Sequence, residues 1–172
     1  MRTRRKWILY GIFLAVLFLF ALYQFFAYVL RDQWNERSAA EAVASSSAGL
    51  TEIDGAQKSV WDANSIYWVV SGKNKSGADT MVWVRFTEDG KPASGQNGVY
   101  AQEVSKGVSE KKMRQLIESS IPGVQIKRLL AGAYNGEYVW QLFCKEDDKY
   151  YYKFYRFSDG QQIGEGYALP SR

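Results

Sequence analysis

The chain opens on one long apolar run, Trp7 to Leu30 (WILYGIFLAVLFLFALYQFFAYVL), with no charged residue and with Gln24 as its one strongly polar side chain. A helix on the surface of a water-soluble domain shows a polar face; this run has none. As helix it would measure about 36 Å, enough to cross a hydrocarbon core of about 30 Å with some tilt. A cleaved signal peptide would have an apolar region of about 7 to 15 residues ending in a small-x-small site. Tyr28, Val29, Leu30, Arg31 and Asp32 offer no such site. The pattern therefore predicts an uncleaved transmembrane signal anchor over 7–30. Arg2, Arg4, Arg5 and Lys6 precede it, and by the positive-inside rule residues 1–6 form a cytoplasmic tip, with everything after Leu30 extracytoplasmic. The protein is expected in the cell membrane as a single-pass chain. Trp7 and Tyr10 at one end, and Tyr23, Tyr28 and Trp34 at the other, suit the two membrane interfaces.

Beyond the anchor the periodicity changes. Arg31 to Ala48 is rich in Ala, Glu and Ser and lacks Pro and Gly, so it reads as a stalk helix to about Ala44. Its apolar stripe is weak, built on Trp34, Ala39, Ala42 and Val43; a looser Ser45-Ser46-Ser47 segment follows, and Gly49 ends it. Strand patterns take over from 51 to 105. Ser65 to Ser71 (SIYWVVS) and Asp79 to Thr87 (DTMVWVRFT) are β-branched and aromatic, as buried strands are. Turn clusters GKNKSG and EDGKP follow them in order. Val60 and Trp61 end an earlier strand, and Asn97-Gly98 introduces a last one over Val99 to Val104.

Val108 to Ile121 carries the clearest helical pattern. Ser109 is a good N-cap with Glu110 in the first turn, and Val108 and Met113 are spaced as a hydrophobic staple. Met113, Leu116, Ile117 and Ile121 share one face, and Pro122-Gly123 stops it. Three or four strands are expected to follow, over Val124 to Tyr134, Glu137 to Lys145, Lys149 to Phe157 and Gln162 to Ala168. Asn135-Gly136, Glu146-Asp147-Asp148 and Ser158-Asp159-Gly160 supply the turns. The expected fold class is α+β: an N-terminal transmembrane helix followed by two small helix-plus-antiparallel-sheet units, 31–105 and 106–172. The link at Ser105-Lys106-Gly107 is short, so the units should pack together.

Composition narrows the chemistry. The chain carries 22 Lys and Arg against 18 Asp and Glu. Four of the basic residues precede the anchor and all the acids follow it, so the exported part has no net charge, and a nucleic-acid partner is not expected. There is no histidine, which removes the commonest general base and transition-metal ligand. Cys144 is the only cysteine, so no intramolecular disulfide forms. Trp61, Trp68, Trp83 and Trp140 are expected to supply much of the core.

Each candidate for chemistry has a plainer structural reading. Asp147 and Asp148 are adjacent between two strong strands and read as a hairpin turn rather than as paired carboxylates, since strand neighbours point to opposite faces. Cys144 follows Leu142 and Phe143 and reads as a buried small hydrophobe. Ser45 to Ser47 lack a histidine or Ser-x-x-Lys companion and read as linker. Gly95 to Gly98 lack the Lys and Ser/Thr of a phosphate loop. No catalytic, cofactor-binding or metal-binding residue is assigned, and an enzyme is not expected. Candidate partner-binding residues are aromatic. Trp68 and Trp83 are expected at paired positions across one hairpin, as partner surface or as core. Tyr150, Tyr151 and Tyr152 alternate, so at least one face of their strand shows tyrosine outside the helix-covered core.

The anchor, the Ala- and Glu-rich Glu36 to Ala44, YWVVSGKNKSGADTMVWV at Tyr67 to Val84 and GVSEKKMRQLI at Gly107 to Ile117 form one pattern. Val139-Trp140 and Phe157-Ser158-Asp159-Gly160 complete it. This pattern resembles the TseB-like cell-wall elongation regulators of Gram-positive bacteria, over nearly the whole chain. The resemblance implies that the exported units are cystatin-like or PepSY-like. It implies a non-enzymatic regulator of peptidoglycan elongation that binds a class B penicillin-binding transpeptidase, an extracytoplasmic membrane protein. The alternative that such units also suit is a PepSY-like modulator of an exported protease.

Overall fold

The computed structural model describes residues 2–62, 65–95 and 97–170, and of 2–9, 29 and 30 the backbone alone. The side chains of Trp7, expected at a membrane interface, and of Arg2, Arg4, Arg5 and Lys6, together with Gln96 of the Gly95 to Gly98 turn, lie outside that description. Helix α1 runs over Arg2–Ala48. By its contacts the chain divides into two units, the first ending at Glu36 and the second beginning at Arg37.

In the first unit every described side chain from Tyr10 to Tyr28 is exposed. Its most apolar window reaches a mean hydropathy of 2.3. Uncovered apolar side chains on a helix with all its backbone bonds made internally are what a lipid solvent requires. This apolar helix is compatible with a single-pass membrane anchor. Arg31 lies 5.5 Å from the Tyr28 ring centroid, a cation–π contact at the end of the apolar run.

In the second unit α1 ends later than its composition implies. Ser45, Ser46 and Ser47 are helical and exposed, and Ser46 Oγ donates to the Val43 carbonyl at 3.4 Å. Gly49 then takes the left-handed conformation (φ 72°) and closes the helix. The apolar stripe also differs. Ala40 and Ala44 are fully buried, with Ala39, Val43 and Ala48 beside them, whereas Trp34 and Ala42 are exposed. Small side chains let the helix lie close on a sheet of bulky ones, a contact that hydropathy alone undervalues.

That sheet is β1 (Leu50–Val60), β2 (Ile66–Asn74), β3 (Asp79–Arg85) and β4 (Val99–Glu103), antiparallel in chain order. Trp68, Val70, Val82, Val84 and Phe86 pack beneath α1. Val69 and Trp83 point the other way, into a second core with Met113, Ile117, Trp140, Leu142 and Phe157. The strands read as unbroken apolar runs because both faces are covered.

Helix α2 (Glu110–Ser120) is capped as its sequence predicts, with Ser109 Oγ accepting from the Lys112 N–H at 3.3 Å. Val108 and Met113 are both buried, while Leu116, at the edge of the expected face, is 39% exposed. The helix covers one face of β5 (Gln125–Tyr134), β6 (Glu137–Glu146), β7 (Lys149–Arg156) and β8 (Gln162–Ala168), again antiparallel in order. Asn135 and Gly136 (φ 51° and 76°) make one tight hairpin, and Asp147 and Asp148 (φ 43° and 65°) another.

The two halves share a core rather than touching at a seam. Trp83 Nε1 donates to the Gly132 carbonyl at 2.7 Å, Gln57 Nε2 to the Ala131 carbonyl at 2.9 Å, and Gln141 Nε2 to Ser59 Oγ at 2.7 Å. A Cβ on Gly132 would lie 2.2 Å from Gln141 Nε2 and 2.5 Å from Ser59 Oγ. Glycine is what lets β1 and β5 approach this closely.

Candidate interaction surface

Strand β7 sorts its tyrosines as alternation requires. Tyr151 and Tyr155 face α2 and the shared core. Tyr150 and Tyr152 point to the opposite face, where the Phe143 ring stacks between them at 5.5 Å (18°) and 4.9 Å (26°). Tyr150 is 40% exposed. Further along the same face Tyr134 lies flat on Phe154 at 3.9 Å, and the Tyr134 and Tyr167 hydroxyls hydrogen-bond at 2.8 Å. Tyr134 is on β5 and Tyr167 on β8, the two edges of the sheet. Their meeting requires a strongly curled sheet with this face concave.

Trp61, at the end of the first sheet's β1, inserts into that concavity. Its ring meets Phe154 edge-on at 4.6 Å and Tyr152 at 5.2 Å. Beside it runs an open groove of about 320 Å³, walled by Lys58, Ser59 and Trp61 and floored by Arg128, Phe143 and Tyr152. Arg128 Nη2 donates to the Tyr152 hydroxyl at 3.4 Å. Among the described residues no carboxylate pairs with Arg128, and none lines the groove. Val60, 53% exposed, also lines it.

Trp68 and Trp83 require correction. They are not paired: Trp68 faces Val84 and Trp83 faces Val69, so they lie on opposite sides of the sheet. Both are buried, at 3% and 0% exposure, and neither offers a free ring to a partner. The sheet is covered twice, and each tryptophan serves one of its two cores.

The ionisable groups sit where structure needs them. Cys144 is fully buried; burial first, then its hydrogen bond to Glu146 at 3.2 Å, pushes the thiol up to about 12, far from a reactive thiolate. Glu146 is held in turn by Lys153 at 2.7 Å. Burial likewise pushes the Tyr155 phenol up to about 12. Asp148 pairs with Lys145 at 2.6 Å, which holds its carboxyl below the usual range. Among the described residues no cluster of three or more His, Cys, Asp or Glu is placed to hold a metal ion.

Sequence reasoning missed Trp61, Phe143 and Arg128 as parts of this surface. Alternation on β6 could have placed Phe143 opposite Leu142 and Cys144, beside Tyr150 and Tyr152. Nothing local marks Trp61, since its neighbours belong to the other half of the chain.

Residues 39–85 match the family model described as the cell wall elongation regulator TseB-like domain. The resemblance drawn from the sequence is thereby borne out, and this segment spans the end of α1 and β1 to β3. Among solved structures, the YpmB protein from Bacillus subtilis shares the fold with a TM-score of 0.61 at 20% identity, over 78% of this chain and 96% of that one. The search of curated proteins found no match.

Proposed function

We propose that the protein is a non-enzymatic regulator of cell-wall elongation, anchored in the cell membrane with its C-terminal part extracytoplasmic. It acts by binding a class B penicillin-binding transpeptidase. The match of residues 39–85 to the cell wall elongation regulator TseB-like domain carries this reading. Three features support it: the exposed apolar stretch of α1, the basic residues before it, and aromatic side chains left on an open sheet face. The exported halves are read as two cystatin-like or PepSY-like units, 31–105 and 106–172, fused through a common core. In this role Tyr150 and Tyr152 belong to the contact surface, Tyr151 supports them from the core side, and Trp68 and Trp83 act only by holding the sheet.

Depletion in a native host, with cell width and β-lactam sensitivity measured, tests the reading. Altered width is expected, together with crosslinking to a penicillin-binding protein in living cells. Normal width with altered exported proteolysis would replace it with modulation of a protease.

A further inference from the structure

We propose that the groove between Trp61 and the β5–β6–β7 floor is a docking site for an acidic, aromatic-bearing peptide segment of the protein partner. This rests on the regulator reading for the existence of a partner, and goes beyond it in naming the chemistry recognised.

Charge supplies the first argument. Arg128 lines the groove, and among the described residues no carboxylate does. Arg128 offers a planar fork of donors, and among the described residues its hydrogen-bond partner is a neutral phenol at 3.4 Å. A carboxylate arriving there gains a charge-assisted, bidentate pair.

Ring orientation supplies the second. Tyr150, Phe143 and Tyr152 are stacked on one another within 26° of parallel. Rings stacked along a sheet turn their edges outward, not their faces. Outward edges carry the positive side of the ring quadrupole, which suits the face of an incoming aromatic ring or a carboxylate oxygen. They do not form the flat platform on which a sugar ring stacks.

Strand geometry supplies the third. Gly164 and Gly166 in β8 take left-handed conformations (φ 67° and 80°), and the β7–β8 register slips between Tyr152 and Phe154. An edge so broken is a poor template for an added strand. Strand addition at the β8 edge is thereby disfavoured, which leaves recognition by side chains in the groove lined by β5, β6 and β7. A volume of about 320 Å³ holds two or three of them.

The test uses the full chain in lipid nanodiscs and an acetylated pentapeptide of alternating glutamate and phenylalanine, with its glutamine- and lysine-substituted analogues as controls. Binding is read by the Trp61 indole N–H resonance, with Trp140 as internal reference. A saturable Trp61 shift is expected with the glutamate peptide, about 10-fold weaker with the glutamine peptide and absent with the lysine peptide. Arg128→Gln should weaken the glutamate peptide by about 10-fold while leaving the unfolding midpoint unchanged. Arg128→Glu should reverse the preference toward the lysine peptide. Equal binding of all three peptides, or shifts that bypass Trp61, would overturn the proposal, as would tighter binding of a peptidoglycan fragment. In cells, Arg128→Glu should reproduce the width defect of depletion. A width defect on depletion that Arg128→Glu fails to reproduce would remove the groove and leave the regulator reading standing.

Discussion

Trp83→Phe tests whether the two halves are one cooperative body. The indole is fully buried and donates to the Gly132 carbonyl on β5 at 2.7 Å, from a strand of the first sheet. Its ring also packs edge-on against Phe157 at 4.9 Å and tilted on Tyr138 at 5.1 Å. Phenylalanine removes the donor and deprives a buried carbonyl of it, at about 1–3 kcal/mol. The lost ring volume adds about 1–2 kcal/mol. A total of about 2–5 kcal/mol is a large part of a typical stability, and lowers the melting temperature by roughly 10 °C. Hydrogen exchange of the full chain in nanodiscs, followed across urea, reports each strand separately. Strands β2–β3 and β5–β7 should lose protection at one shared midpoint, and the variant should lower that midpoint with an unchanged slope. Two separate midpoints, with β5–β7 unmoved by a substitution in β3, would refute the shared core.

Gly132→Ala should destabilise by about 1–3 kcal/mol, read as a lower urea midpoint, because the new methyl overlaps Gln141 Nε2 and Ser59 Oγ. The Cys144 thiol and the Tyr138 and Tyr155 phenols are each pushed up to about 12 by burial, from ordinary values of 9.0 and 10.0. The folded protein thus keeps protons that the unfolded chain releases. Stability should be fully present below pH 9 and decline as pH rises from there to about 12, and a urea midpoint constant from pH 8 to 11 would contradict this. Residues 31–172 secreted without the anchor should fold but lose most function, and an unrelated transmembrane helix of the same orientation should restore it through effective concentration; full activity of the untethered form would refute the tether.

The sequence made the elements legible wherever one local rule dominated. The long apolar helix, the Ser109 cap and the Asn135-Gly136 hairpin each rest on a short-range signal that tertiary packing did not override. The end of α1 was not legible, since three exposed serines look like linker until Ala44 and Ala48, on either side of them, are seen to pack on the sheet as one helical face. Trp68 and Trp83 were misplaced because an apolar run buried on both faces carries no alternation from which register can be read. The candidate surface was legible in part. Alternation put Tyr150 and Tyr152 on one face, but the curl that joins Tyr134 to Tyr167, and the arrival of Trp61 from the other half, are long-range events.

The groove binds those long-range events to the proposed function. One wall, Lys58 to Trp61, is the end of β1 and the residue after it, inside the segment that matches the TseB-like model; the floor, Arg128, Phe143 and Tyr152, belongs to strands outside it. Neither half holds the groove alone. What sets their spacing is the packing beneath: Ser59 on Gln141, Gln57 on the Ala131 carbonyl and Trp83 on the Gly132 carbonyl. A substitution that loosens this packing therefore reaches the groove without touching it. In Trp83→Phe, at temperatures well below its midpoint, affinity for the acidic peptide should fall in step with lost protection in β1 and β5. If affinity instead stays at the wild-type value while that protection is lost, the floor alone makes the site and Trp61 is only a neighbour.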